Sequence, residues 1–118
     1  MTFRRSIASA LAAATLLSGV AATAADAGTY QGCPRGYVCL YPGAGWNNGR
    51  PSAKYYYYGT YNLRNQYGVK RLFNNQTGRA KAYVCNGWNG NGPCSTPLSP
   101  WTYFDYNFTP INSIKLTR

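Results

Sequence analysis

The chain has 118 residues and a formal net charge of +10, from twelve Lys and Arg against Asp26 and Asp105, with no Glu and no His. Ser–His–Asp and Cys–His arrangements and a His/carboxylate zinc site therefore cannot be assembled, nor, with Asp26 in a segment expected to be cleaved off, can the paired carboxylates of glycoside hydrolysis. A lone Ser, Lys or Tyr nucleophile is the only catalytic option left, so the composition points to a binding protein that is not an enzyme and needs no cofactor.

Residues 1–27 read as a secretory signal peptide. Arg4 and Arg5 form a positive start, Ile7 to Leu17 a mostly apolar stretch, and Ala22-Thr23-Ala24 and Ala25-Asp26-Ala27 two small-x-small cleavage sites. The stretch is interrupted by Ser9, Thr15 and Ser18 and falls short of the ~18–20 apolar residues a bilayer span needs. The expectation is export to the extracellular space as a monomer without stable membrane insertion. The domain is then 28–118, where ten basic side chains against Asp105 leave a charge of +9. A chain of this length buries only about 60–65% of its unfolded surface, so its core is marginal without cross-links.

Four cysteines in an exported chain suggest disulfides, with three connectivities open to them. Spacing favours local pairing. Cys33 and Cys39 bracket Pro34-Arg35-Gly36, and Cys85 and Cys94 bracket Gly87, Gly90, Gly92 and Pro93. The Cys-x5-Cys and Cys-x8-Cys intervals are wider than the short knuckles a four-thiolate zinc site prefers.

Strands are expected at Tyr37–Tyr41, Lys54–Tyr58, Val69–Phe73, Lys81–Cys85, Trp101–Tyr106 and Ser113–Thr117, all rich in aromatic and β-branched residues. Turn signals separate them: Pro42-Gly43, Asn48-Gly49, Gly59, Asn74-Asn75, Gly78, Asn89-Gly90, Asn91-Gly92, Pro97 and Pro110. No helical period stands out in this region. The chain also repeats weakly. Tyr37-Val38-Cys39 returns as Tyr83-Val84-Cys85, Gly45-Trp46-Asn47 as Gly87-Trp88-Asn89, and Tyr61-Asn62-Leu63 as Tyr106-Asn107-Phe108. Each half closes on a basic-apolar strand, around Lys70-Arg71-Leu72 and around Ile114-Lys115-Leu116. An all-β sandwich of about eight short strands in two Greek-key units follows.

Tyr83 to Gly90 fits the aromatic-x4-aromatic-x-Gly signature of the βγ-crystallin Greek key, and Tyr41 to Gly49 fits it with one extra residue before the glycine. From Cys33-Pro34-x-Gly36-x-x-Cys39-Leu40-Tyr41 through Phe73-Asn74-Asn75 to Ile114-Lys115-Leu116, residues 28–118 resemble the secreted streptomycete metalloproteinase-inhibitor family. The resemblance implies a βγ-crystallin-like fold with two cysteine pairs, and inhibition of thermolysin-like zinc endopeptidases by a disulfide-closed, substrate-like loop. Carried over, that loop is Cys85, Asn86, Gly87 and Trp88, the contacted bond is Cys85–Asn86, and the partner is a secreted metalloprotease. Asn86 departs from the bulky apolar residue such enzymes favour after the bond. The positions where βγ-crystallins often bind calcium are Gln66-Tyr67 and Phe108-Thr109, which lack acidic oxygens, so no metal site is expected.

Five basic residues, Arg64, Lys70, Arg71, Arg79 and Lys81, fall within eighteen positions. They suggest either a solvated β face or a patch for an anionic or chitin-like cell-wall polymer, helped by exposed members of Tyr55-Tyr56-Tyr57-Tyr58. As one strand, that quartet places two tyrosines on each face. Trp46 and Trp88 are read as hairpin anchors. A cationic, cell-wall-binding or antimicrobial protein of killer-toxin-like type is thus the alternative to an inhibitor. Nucleic acid is not an expected partner, since no recognition motif is present.

Overall fold

The computed structural model describes residues 28–118, so the leader expected at 1–27 lies outside the described residues. Seven strands form there: β1 (Val38–Tyr41), β2 (Ala53–Tyr55), β3 (Gly59–Asn62), β4 (Val69–Asn74), β5 (Lys81–Cys85), β6 (Thr102–Asn107) and β7 (Ser113–Thr117). They make two antiparallel sheets, ordered β2-β1-β4-β6 and β3-β7-β5. The free edge of β5 is met by the 94–98 segment, through bridges Cys85↔Cys94 and Ala82↔Leu98.

The weak sequence repeat is the architecture. Tyr37-Val38-Cys39 and Tyr83-Val84-Cys85 are the opening strands of two units, and the repeated Gly-Trp-Asn opens the short turns Asn47–Gly49 and Trp88–Gly90. Both turns place their glycine at φ +74° (Gly49 and Gly90), a left-handed conformation that costs an L side chain energy. The extra residue of the first hairpin, Asn47, is left-handed as well, at φ 51°. The third strands cross over. β3 from the first unit pairs with β7, and β6 from the second pairs with β4, so neither sheet is complete without the other half.

Alternation explains the core. In β7, Ile114 and Leu116 point inward and Lys115 outward. With Val38, Leu40, Leu72, Ala82, Val84, Leu98, Phe108 and Ile111 they fill the space between the sheets. Fully burying each large apolar side chain contributes roughly 1.5–3 kcal/mol. All four residues of β1 are buried because its outer face is covered too: Cys39 and Tyr41 join Cys33 and Phe73 beneath Tyr37 and Trp46. Both disulfides, Cys33–Cys39 and Cys85–Cys94, follow the local pairing, and rings of this size contribute roughly 2–3 kcal/mol each.

Two expectations are corrected. Lys54–Tyr58 is not one strand. β2 ends at Tyr55, the chain crosses from one sheet to the other over 56–58, and Gly59, read as a turn, begins β3. The quartet therefore does not alternate: Tyr55 packs on the core beside Tyr61, while Tyr56, Tyr57 and Tyr58 are all exposed. Asn74-Asn75, also read as a turn, is buried. Asn74 Nδ2 donates to the Ala80 and Leu98 carbonyls (3.1 and 2.7 Å), and its Oδ1 accepts from Gln76 N and Nε2. That set of bonds ties the end of β4 to the second sheet.

Candidate functional site

The Cys85–Cys94 segment folds into a hairpin on the second sheet. Across it, Asn86 N donates to Pro93 O and Gly87 N to Asn91 O, both at 2.9 Å. β7 and β3 hold it from outside. Ser113 Oγ accepts from Gly90 N (2.9 Å) and donates to Gly87 O (2.7 Å). Asn112 Nδ2 donates to Asn86 O (2.7 Å). Asn62 Oδ1 accepts from Asn89 N (2.7 Å), and its Nδ2 donates to Asn89 Oδ1 (3.0 Å). Sequence reasoning missed these three positioning residues. The one available signal was Ser113, a small polar residue heading an apolar strand, and it is fully buried.

The Cys85–Asn86 bond lies at the end of β5, with Asn86 exposed and Cys85 not. Cys85 is fully buried, and its carbonyl accepts from Asn112 N at 3.0 Å. The large apolar side chain the hairpin displays is Trp88, 44% exposed, with the Arg64 guanidinium 5.6 Å from its ring centroid. Trp88 is thus at the surface and not a buried anchor, in contrast to Trp46. Between the hairpin and the loop after β3, a cleft of about 230 Å³ is lined by Arg64, Gln66, Tyr67, Trp88 and Thr109 among others. Of the positions compared with calcium loops, Gln66, Tyr67 and Thr109 line it together with the cation Arg64, while Phe108 is buried in the core. Among the described residues no three His, Cys, Asp or Glu side chains converge.

The five clustered basic residues do not share one face. Lys70 and Arg71 are neighbours in β4 and so point to opposite sides of the first sheet, Lys70 Nζ donating to Pro42 O at 3.3 Å. Lys81 lies on β5 in the second sheet, and Arg64 and Arg79 lie on loops. Arg71 is engaged inside the protein. Its Nε and Nη2 donate to the two carboxylate oxygens of Asp105 at 2.8 and 3.0 Å. Its guanidinium stacks 4.0 Å from the Tyr103 centroid and 4.6 Å from that of Trp46. The hydrogen-bonded carboxylate holds Arg71 still more firmly protonated than usual.

Around this pair the outer face of the first sheet is aromatic. Trp46 meets Tyr30, Tyr41, Phe73 and Tyr103 edge-on, with centroids 4.9–5.5 Å apart, and Trp101 extends the row beside Tyr30 and Phe73 at 5.8 and 6.1 Å. Each such contact adds about 0.5–1.5 kcal/mol beyond burial. The Tyr41 hydroxyl donates to Gln31 O (2.7 Å), and burial of the ring pushes its pKa up to about 12 against the opposing charge of Arg71.

No family model matches this chain, nor does any curated protein or solved structure.

Proposed function

We propose that this is a secreted, βγ-crystallin-like inhibitor of a thermolysin-like metalloendopeptidase, with the Cys85–Cys94 hairpin as its contact. One observation carries the reading: the hairpin is exposed yet held rigid by a disulfide and by Ser113, Asn112 and Asn62. A loop already fixed in its bound shape loses little entropy on docking, and so binds more tightly. The exchange of a strand between the four-strand first half and the three-strand second half supports the double Greek key, and the two local disulfides fit an exported protein.

Trp88 is the binding group in this reading, a large apolar side chain offered to an apolar subsite, while the buried Cys85 carbonyl keeps the Cys85–Asn86 bond from attack. Titrating the oxidised protein into a thermolysin-like enzyme, with a serine protease as control, tests it. Submicromolar inhibition of the metalloenzyme alone is expected, weakened at least tenfold by Trp88→Ala, with the inhibitor's mass unchanged afterwards. No inhibition by a protein verified as folded would overturn it.

A further inference from the structure

The aromatic outer face of the first sheet contains a feature that folding does not explain. Trp101 is a bulky residue at φ +65°, in the left-handed region, with its N–H held by Asn74 O at 2.7 Å. Such a conformation costs on the order of 1–3 kcal/mol and persists only where its surroundings impose it. The strain does not bury the indole, which is 59% exposed. Beside it Tyr30 and Tyr103 are 41% and 48% exposed, over a floor of Phe73 and Trp46 that fixes their rings. On its other side Trp101 lines a groove of about 240 Å³ with Arg35, Thr77 and Pro100.

We infer that this face is a binding site for a neutral polysaccharide with flat, β-linked pyranose rings, such as chitin or cellulose. Three properties of the face select that class. Rigid, exposed aromatic rings match the apolar C–H face of a pyranose, and rings that are already fixed lose little freedom on stacking. Hydrogen-bonding groups border the rings: the Tyr30 and Tyr103 hydroxyls and the Asp105 carboxylate, which keeps lone pairs free for sugar hydroxyls while holding Arg71. The charge at the site is compensated, because the guanidinium nearest the rings is paired with the only carboxylate side chain of residues 28–118. The unpaired cation at its border, Arg35, lies beyond Trp101 along the groove, and the salt arm of the test reads its share. The site lies on the sheet opposite the Cys85–Cys94 hairpin and does not depend on it.

The test is co-sedimentation of the oxidised protein with insoluble chitin and with cellulose, at low salt and in 0.5 M NaCl. Binding to at least one, undiminished by salt, is expected, because screening weakens only charge-driven retention. Trp101→Gly is the decisive variant. Glycine suits φ +65°, and the strain it relieves offsets the lost contacts with Tyr30 and Phe73, so the variant should melt close to the parent while binding at least tenfold more weakly. Tyr103→Ala should also weaken binding, and Trp88→Ala should leave it unchanged. Failure to sediment with either polymer would overturn the inference. So would salt-sensitive retention, retention that survives Trp101→Gly, or a face that takes up a protein partner instead.

Discussion

Arg71 and Asp105 stand directly opposite each other across β4 and β6, one strand from each half of the chain, and meet through a two-pronged ion pair. The pair joins the halves at the place where the third strand of the second unit enters the sheet of the first. The Arg71 side chain is 12% exposed and that of Asp105 34%. Asp105→Asn leaves the guanidinium largely buried with a neutral partner. Because the carboxylate is partly solvated, the cost should be about 1–2 kcal/mol, less than the ~3–5 of breaking a fully buried pair. A lower denaturant midpoint with an unchanged slope would bear this out, and an unchanged midpoint would contradict it.

Asn74 should be the more damaging position. Its amide donates to two backbone carbonyls that belong to different segments of the second sheet, and all its hydrogen bonds are buried. Asn74→Ala leaves the Ala80 carbonyl and the Gln76 N–H without these partners, at roughly 1–3 kcal/mol for each buried group so deprived, while the Leu98 carbonyl keeps its bond from Ala82 N. A loss of about 3 kcal/mol is expected, with faster hydrogen exchange at the Leu98 amide than at core amides of β4. A loss under 1 kcal/mol would mean that water replaces the amide.

Much of this arrangement was legible in the sequence, for physical reasons that differ from place to place. β5 and β7 were read with their full extents, since strict alternation in Ser113-Ile114-Lys115-Leu116-Thr117 leaves one buried face. The cysteine pairs were readable because short, turn-rich intervals bring their ends together. β3 was not readable. Gly59 at its start and the tyrosine run before it look like a turn and a strand, and only the crossover between sheets reverses those roles. Nor could local sequence show that Arg71 is consumed by Asp105, thirty-four residues away. Asn62 and Ser113 serve the hairpin from other strands and Asn112 from the residue before β7, and such clamps leave no periodic trace.

Tyr41 makes stability depend on alkaline pH. Its pKa is raised to about 12 from 10.0, first by burial and less the opposing effect of Arg71. Below pH 10 the folded and unfolded states both keep the proton, and the contribution is complete. Between about pH 10 and 12 the unfolded chain loses it while the folded one retains it, so stability falls as pH rises, by about 2–3 kcal/mol over the window. Tyr55, raised in the same direction by burial and by Tyr61, adds to the decline. Melting temperatures of the parent and Tyr41→Phe should therefore converge with rising pH, the variant starting lower for want of the bond to Gln31 O. Parallel curves would show that Tyr41 is not the group responsible.

Ser113 separates the hairpin's shape from its covalent closure. Its hydroxyl bonds both Gly87 O and Gly90 N, on either side of Trp88, and it is fully buried. Ser113→Ala keeps the Cys85–Cys94 ring but removes the one side chain that holds both flanks of the tryptophan. The expected stability loss is about 1–3 kcal/mol, set by the two backbone groups it leaves unpaired. At temperatures where the variant remains folded, the Gly90 amide should exchange faster, and inhibition should weaken with little change in the association rate. Dissociation should quicken, because a loosened hairpin has more freedom to lose on binding. Replacing both Cys85 and Cys94 with serine should combine the two effects and lower the melting temperature further, by the roughly 2–3 kcal/mol of the ring. If Ser113→Ala speeds exchange at Gly90 yet leaves dissociation unchanged, rigidity of the hairpin is not what makes it bind.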